Sequence, residues 1–404
     1  MKTSSWQPEY HGLWPKPQDE WLLKAALADE SACAEHFARW RAESGFQNYD
    51  EIDYATCRIL PMVYKQLVRS GADDPWLPQM KALHRYHWVT IKAKQQRLAK
   101  LIDELGRVGI ETVVLKGNAL IAGGYFDDAG ERPLHDLDVL VRPEDEASAA
   151  ERVRWLDWKE LGPGPHAEYH AFAYRYSDGV ELDLHRKLFQ PPYRYVGLDS
   201  LLPFSKPAVL CGVRVRIPDA THLLMHCLVH GRVCWGSVGH PFLWVADAMR
   251  ILQRAPDGID WARLLEDAER FAIVFDIRES LGYLRDKLNA PVPDHVLQKL
   301  KDALVRREDM LPFFRWTNQH EIHSLLELKD FMHADYLCHQ QMADREPTRL
   351  GYLRYVSARM HRLMTSDAGR KRIYFLSTKL RYEGLLSTIR RPNYLKVPGD
   401  TESP

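Results

Sequence analysis

The segment His135-Asp136-Leu137-Asp138-Val139-Leu140-Val141 sets two acidic residues two apart in an otherwise apolar run. Side chains on a strand alternate between faces, so Asp136 and Asp138 stand side by side while Leu137, Val139 and Val141 enter a core. Asp is a poor strand former, and two adjacent carboxylates repel each other. A divalent cation with oxygen ligands, Mg²⁺ above all, resolves that conflict. Farther along, Val180-Glu181-Leu182-Asp183-Leu184-His185 puts Glu181, Asp183 and His185 on one face and the two leucines on the other. If this strand pairs beside the first, Asp183 meets Asp136 and Asp138, with Glu181 as the rival third carboxylate. Three clustered carboxylates suit a site that holds two metal ions for phosphoryl transfer.

Leu115-Lys116-Gly117-Asn118 ends one apolar, β-branched run and opens a short helix. Gly117 permits a tight turn and close approach of a phosphate, the helix start offers N–H groups to an anion, and Lys116 brings a cation. Arg132 is a second phosphate candidate, or else a partner of Asp127 or Asp128. His185 either orients Asp183 or touches an acceptor. His222, His226 and His230 recur every four residues on one helical face. That spacing suits a metal, but the preferred reading is a helix lining the cleft, with His226 and His230 toward the ligand. Asp247 interrupts the apolar stretch Trp244-Val245-Ala246 and is expected as a buried partner of a His or Arg.

These residues need a frame to hold them. Residues 1–19, rich in Pro and polar side chains, read as a loose arm. Residues 20–109 have helical periodicity, including one long amphipathic helix over 80–107. Between 110 and 218 the pattern changes to strands at 111–117, 135–143 and 213–218, a helix after Pro143, and a hairpin over 168–188 turning at Ser177-Asp178-Gly179. From Asp219 to the end, residues 219–404, helices return, the first capped by Asp219 or Thr221. The expected fold class is therefore α+β, a small mixed β-sheet core flanked by N-terminal and C-terminal helical regions.

Composition narrows the class further. The 55 Lys plus Arg balance 55 Asp plus Glu, so net charge makes no whole-chain case for nucleic-acid or membrane binding. Six scattered Cys without a CxxC read as reduced thiols. Residues 1–17 lack an apolar leader core, and no run reaches the roughly 18 apolar residues of a spanning helix, so a cytoplasmic protein is expected. One local exception is residues 351–400, where 11 Lys/Arg face 3 Asp/Glu. A basic solvated helix is the preferred reading, and peripheral contact with a membrane surface or polyanion the alternative.

The ordered set Lys116-Gly117-Asn118, Asp136-Leu137-Asp138 and Asp183 resembles the polymerase β-like nucleotidyltransferase superfamily. Within it the chain is similar to a bacterial group of uncharacterised nucleotidyltransferases, through Leu115–Leu120, Arg132–Val141 and Asp183–Leu188. Lys-Gly-Asn stands where the superfamily usually has Gly-Gly or Gly-Ser, and Arg186 where the group has Trp. The resemblance implies that Asp136, Asp138 and Asp183 are catalytic and hold two Mg²⁺, with Mn²⁺ as a substitute. It implies that Lys116, Gly117, Asn118, Arg132 and His185 line the nucleotide site. The implied reaction moves a nucleoside monophosphate, AMP from ATP, onto a hydroxyl of a small molecule, sugar, peptide or protein, releasing pyrophosphate. Two alternatives remain at this point: transfer of another phospho-linked glycosyl or phosphoryl group at the same metal site, and a non-catalytic nucleotide-binding or antitoxin-like partner protein.

Overall fold

A computed structural model describes residues 14–27, 30–46, 48–161, 171–190, 193–231, 242–255, 258–305 and 348–365, with isolated positions between 309 and 340. The chain divides into two compact units, one of residues 1–166, 170–190 and 194–302 and one of residues 167–169, 191–193 and 303–404.

The first unit opens with helices α1 (Pro17–Leu27), α2 (Glu30–Ser44), α3 (Tyr54–Cys57), α4 (Leu60–Ser70) and α5 (Leu77–Arg107). Asp53 caps α3 by accepting from the N–H groups of Ala55 and Thr56, both at 2.9 Å. Gly71, at φ 66°, ends α4 in the left-handed region that favours glycine. The expected loose arm over 1–19 needs correction at its end. Trp14 is buried and stacks on Tyr283 with ring centres 4.7 Å apart, and α1 already begins at Pro17. Burying an indole outweighs the loop character of the neighbouring prolines. Residues 1–13 lie outside the described residues.

The middle of the unit carries β1 (Val113–Val114), α6 (Lys116–Ala122), β2 (Asp136–Leu140), α7 (Glu146–Trp155), β3 (Lys159–Glu160), β4 (Ala171–Arg175), β5 (Glu181–His185), α8 (Leu198–Leu201), β6 (Lys206–Leu210) and β7 (Val213–Ile217). The main sheet has the order β1-β2-β5-β4-β3, with β2 and β5 parallel and the other neighbours antiparallel. The fold is thus α+β with a small mixed sheet. Leu137, Val139, Leu182 and Leu184 are fully buried, so the apolar parity read from the sequence faces the core. The strand expected at 111–117 is cut to Val113–Val114, because Lys116 turns the backbone to φ 50° and starts α6. The hairpin closes as expected, Gly179 donating to Tyr176 O at 2.9 Å with a φ of 87°. Its residues 168–170 lie outside the described residues.

The unit closes with α9 (Ala220–His230), α10 (Phe242–Arg254), α11 (Trp261–Arg270), α12 (Val274–Leu288) and α13 (Asp294–Asp302). Asp219, not Thr221, caps α9, accepting from His222 N–H at 3.0 Å. The second unit contains α14 (Arg349–Thr365), where the Tyr336 hydroxyl donates to Thr348 O at 3.0 Å and accepts from Thr348 N–H at 2.9 Å. The basic residues expected at 370–391 lie outside the described residues. Among the described residues no helix is long and apolar enough to cross a membrane.

Candidate active site

Backbone pairing decides which acids meet. The parallel register of β2 and β5 sets Asp136 beside Glu181 and Asp138 beside Asp183. Neighbours in register point to the same face, so the two central aspartates are brought together. Single ligand atoms of Asp138, Asp183 and His185 all lie within 4.8 Å of one another. Glu181, the rival third carboxylate, instead accepts from Arg175 Nε at 3.1 Å and Nη2 at 2.5 Å.

Asp138 is 2 % exposed and His185 wholly buried. Burial first, and then the Lys116 cation, hold the imidazole well below its usual range, so His185 is neutral. Its Nε2 lies 2.8 Å from Asp138 Oδ1, and a neutral ring facing a carboxylate carries its proton on that nitrogen and donates. His185 therefore orients Asp138, where the sequence reading had it either orient Asp183 or touch an acceptor. Lys116 Nζ pairs with the same Oδ1. Among the described residues Asp138 Oδ2 accepts no hydrogen bond. Burial alone would lower the Lys116 ammonium, but Asp138, Asp136 and Asp183 outweigh it and raise it. Burial, then Asp138 and Asp136, push the Asp183 carboxyl up to about 7 against the pull of Lys116. Carboxylates crowded out of water resist sharing charge, which is the condition that a divalent cation relieves.

Other expected residues take different places. A side chain at Gly117 would overlap Leu134 and approach Arg132 Nη1 to 3.1 Å. The open side of Gly117 thus receives the chain leading into β2, where a phosphate was expected. The left-handed residue of the turn is Lys116 itself. Asn118 is 1 % exposed, and neither its oxygen nor its nitrogen has a partner among the described residues. Arg132 gives Nε and Nη2 to the carboxylate of Asp247 at 2.8 and 2.7 Å and Nη1 to Pro133 O at 2.5 Å. Asp247 is the buried Arg partner expected of it, while Asp127 and Asp128, the partners suggested for Arg132, are engaged elsewhere. His226 packs edge-on against Phe189 at 6.1 Å and His230 at 5.1 Å, within α9 and its surroundings.

The loop that delivers β2 is strapped to the N-terminal helices. Asp128 accepts from Lys65 Nζ and Gly130 N–H at 2.9 and 2.7 Å and faces His84 Nε2 at 2.9 Å. Asp127 pairs with Arg69 and Arg254. Gly130 lies against α5, where a Cβ would sit 2.8 Å from His84 O. Lys94, also on α5, donates to Leu134 O at 2.8 Å and His135 O at 2.9 Å, directly before Asp136. Arg58, between α3 and α4, lies within electrostatic reach of Asp136, Asp247 and Arg132. Burial first, then Arg132, lower its guanidinium to about 10. His87 is pulled down to about 4 by burial, then by Arg58, Lys94 and His84. None of these three was singled out from the sequence. The available signal was His87 and Lys94, seven apart on one face of α5, flanking the buried Ile91.

A family model described as Uncharacterised nucleotidyltransferase matches residues 54–289, more than half of the chain. The chain belongs to that family. Family membership makes it a nucleotidyltransferase by enzyme class, and the matched span runs from Tyr54 through the whole carboxylate site to the left-handed Asn289 that ends α12. No curated protein matches the chain. Among solved structures, the antibiotic-resistance factor ANT(2'')-Ia in solution aligns at 11 % identity and a TM-score of 0.32, over 49 % of this chain and 94 % of that one. An antigenic nucleotidyltransferase-like protein from Paracoccidioides brasiliensis aligns at 14 % identity and a TM-score of 0.33, over 51 % of this chain and 91 % of that one.

Proposed function

We propose that this nucleotidyltransferase transfers AMP from ATP to a hydroxyl acceptor and releases pyrophosphate, with Asp138, Asp183 and Asp136 holding Mg²⁺. The observation that carries the reading is the parallel register that sets Asp138 beside Asp183. The donor set fits an oxygen-seeking cation: two adjacent carboxylates, one oxygen of Asp138 that accepts no hydrogen bond among the described residues, and Asp136 on the same face. Bound there, Mg²⁺ supplies charge neutralisation to the entering and leaving oxygens of an in-line displacement.

The chain's own residues account for the rest. Asp183, set beside Asp138 by the strand register, is placed to help take the proton of the acceptor hydroxyl. His185 fixes the rotamer of Asp138, and Lys116 balances part of the acidic charge beside it. Asn118, a buried amide with unmet donors and acceptors, is assigned to the nucleotide. Arg132 acts by holding the Pro133 carbonyl and Asp247 in place, since its guanidinium is already committed. A cytoplasmic setting fits an ATP-consuming reaction.

Incubation with labelled NTPs, Mg²⁺ and pooled hydroxyl-bearing acceptors tests the reading. Acceptor-dependent pyrophosphate release, lost in Asp136→Asn and in Asp138→Asn, is the expected result. Nucleotide binding without turnover would favour a non-catalytic binding protein. Near-normal activity of Asp136→Asn would remove the metal site from the chemistry.

A further inference from the structure

The cations nearest the carboxylates are not equally available. Lys116 is committed to Asp138, Arg132 to Asp247 and the Pro133 carbonyl, and Lys94 to the carbonyls of Leu134 and His135. Arg58 differs from all three. Its guanidinium makes no hydrogen bond and no ion pair among the described residues, and its Nε is buried without a partner. The Tyr54 ring lies 5.9 Å away and satisfies none of the five donors. The backbone beneath it is nonetheless fixed. Arg58 ends α3, its N–H donating to Ala55 O, and Asp53 caps the same helix. A half-buried guanidinium held in place with empty donors, within electrostatic reach of Asp136, is short of an anion.

We propose that Arg58 binds the terminal phosphates of the nucleotide, reaching from the N-terminal helices across to the side of Asp136. The polyphosphate is the anion that spans carboxylate-held cations and a guanidinium, since its oxygens serve both, and a planar fork suits paired phosphate oxygens. Tyr54 flanks the guanidinium from outside, being 59 % exposed. The role exchanges the expected positions. Arg132, the residue whose type and motif suggested phosphate binding, holds the loop, and Arg58, from outside the motifs, meets the ligand. The inference rests on the nucleotidyl-transfer reading.

Isothermal titration with Mg²⁺ tests it on the full chain, using a non-hydrolysable ATP analogue, AMP and inorganic tripolyphosphate as probes. Arg58→Gln is expected to weaken the ATP analogue and tripolyphosphate by roughly 10- to 100-fold, as for loss of charge-assisted hydrogen bonds, and to leave AMP unchanged. Arg58→Lys, which keeps the charge and loses the fork, is expected to fall between, and it carries the test if Arg58→Gln does not fold. Equal losses on AMP and on the ATP analogue would make Arg58 a structural residue and overturn the inference. Unchanged affinity for the ATP analogue and tripolyphosphate would overturn it too, and would give Arg58 to an anionic acceptor. Wild-type protein that binds tripolyphosphate and neither nucleotide would sink the nucleotidyl reading and with it the nucleotide as the ligand of Arg58, whereas the two outcomes before it overturn the inference alone. Wild-type protein that binds none of the probes would sink both.

Discussion

Asp183→Asn should stabilise the metal-free protein while removing its activity. The asparagine keeps the shape of the side chain and cannot ionise. In the native fold, burial and the neighbouring Asp138 and Asp136 move the Asp183 carboxyl from 3.8 to about 7. At roughly 1.4 kcal/mol for each tenfold change, that rise sets a ceiling of about 4 kcal/mol against the ionised form. Asp183 keeps some solvent exposure, which halves the expected effect to about 2 kcal/mol. The native state holds this proton up to about pH 7, whereas the unfolded chain releases it near 3.8. Between those values the native state binds more protons, so native stability falls as pH rises through the window. The advantage of Asn is therefore absent near pH 4 and complete above pH 7. Thermal melts in EDTA should show the variant about 4 °C above the native protein at pH 8, taking roughly 2 °C per kcal/mol for a unit of this size, and equal to it near pH 4. Added Mg²⁺ should raise the native melting temperature and leave the variant unmoved. A variant less stable than the native protein at pH 8, or one with the same offset at both pH values, refutes the reasoning.

Two further outcomes follow from the surrounding framework. Asp247→Ala should cost about 3–5 kcal/mol in chemical denaturation, because it leaves the buried Arg132 guanidinium unpaired, while Arg132→Met with Asp247→Leu should cost much less than the two single changes summed. His222 faces Asp219 at 2.8 Å and Asp267 at 3.5 Å, and these partners raise its imidazole despite the opposing effect of burial. The stability it contributes is present below the ordinary histidine range and is lost as pH rises through the raised value. His222→Gln should therefore cost about 1–2 kcal/mol in urea melts at pH 5.5 and visibly less at pH 9.

How much was legible in the sequence depended on the range of the interactions. The period-2 alternation of Leu137-Asp138-Val139 is a local signal, and it located β2 and its acidic face. The Asp219 cap and the Gly179 turn are likewise local, and both stand where they were expected. The choice between Asp183 and Glu181 was not local. Both share one strand face, and only the parallel register of β5 on β2 separates them. The partner of Arg132 was hidden for the same reason, because Asp247 lies 115 residues away on α10, while Asp127 and Asp128 lie close by in the chain. Strand β6 escaped notice because Pro207 and Lys206 interrupt its apolar pattern, and it forms as a two-stranded ribbon with β7. Arg58 and Lys94 sit in segments whose helical periodicity explains their presence as polar positions. Nothing in that periodicity reveals that α4 and α5 pack against the loop leading to Asp136.

Crystals grown with Mn²⁺ and a non-hydrolysable ATP analogue, measured at the manganese absorption edge, address the metal site directly. Manganese bound by carboxylate oxygens of Asp138 and Asp183 and by phosphate oxygens of the analogue is the predicted result. Manganese absent from β2 and β5, or an analogue bound away from that sheet face, would contradict it.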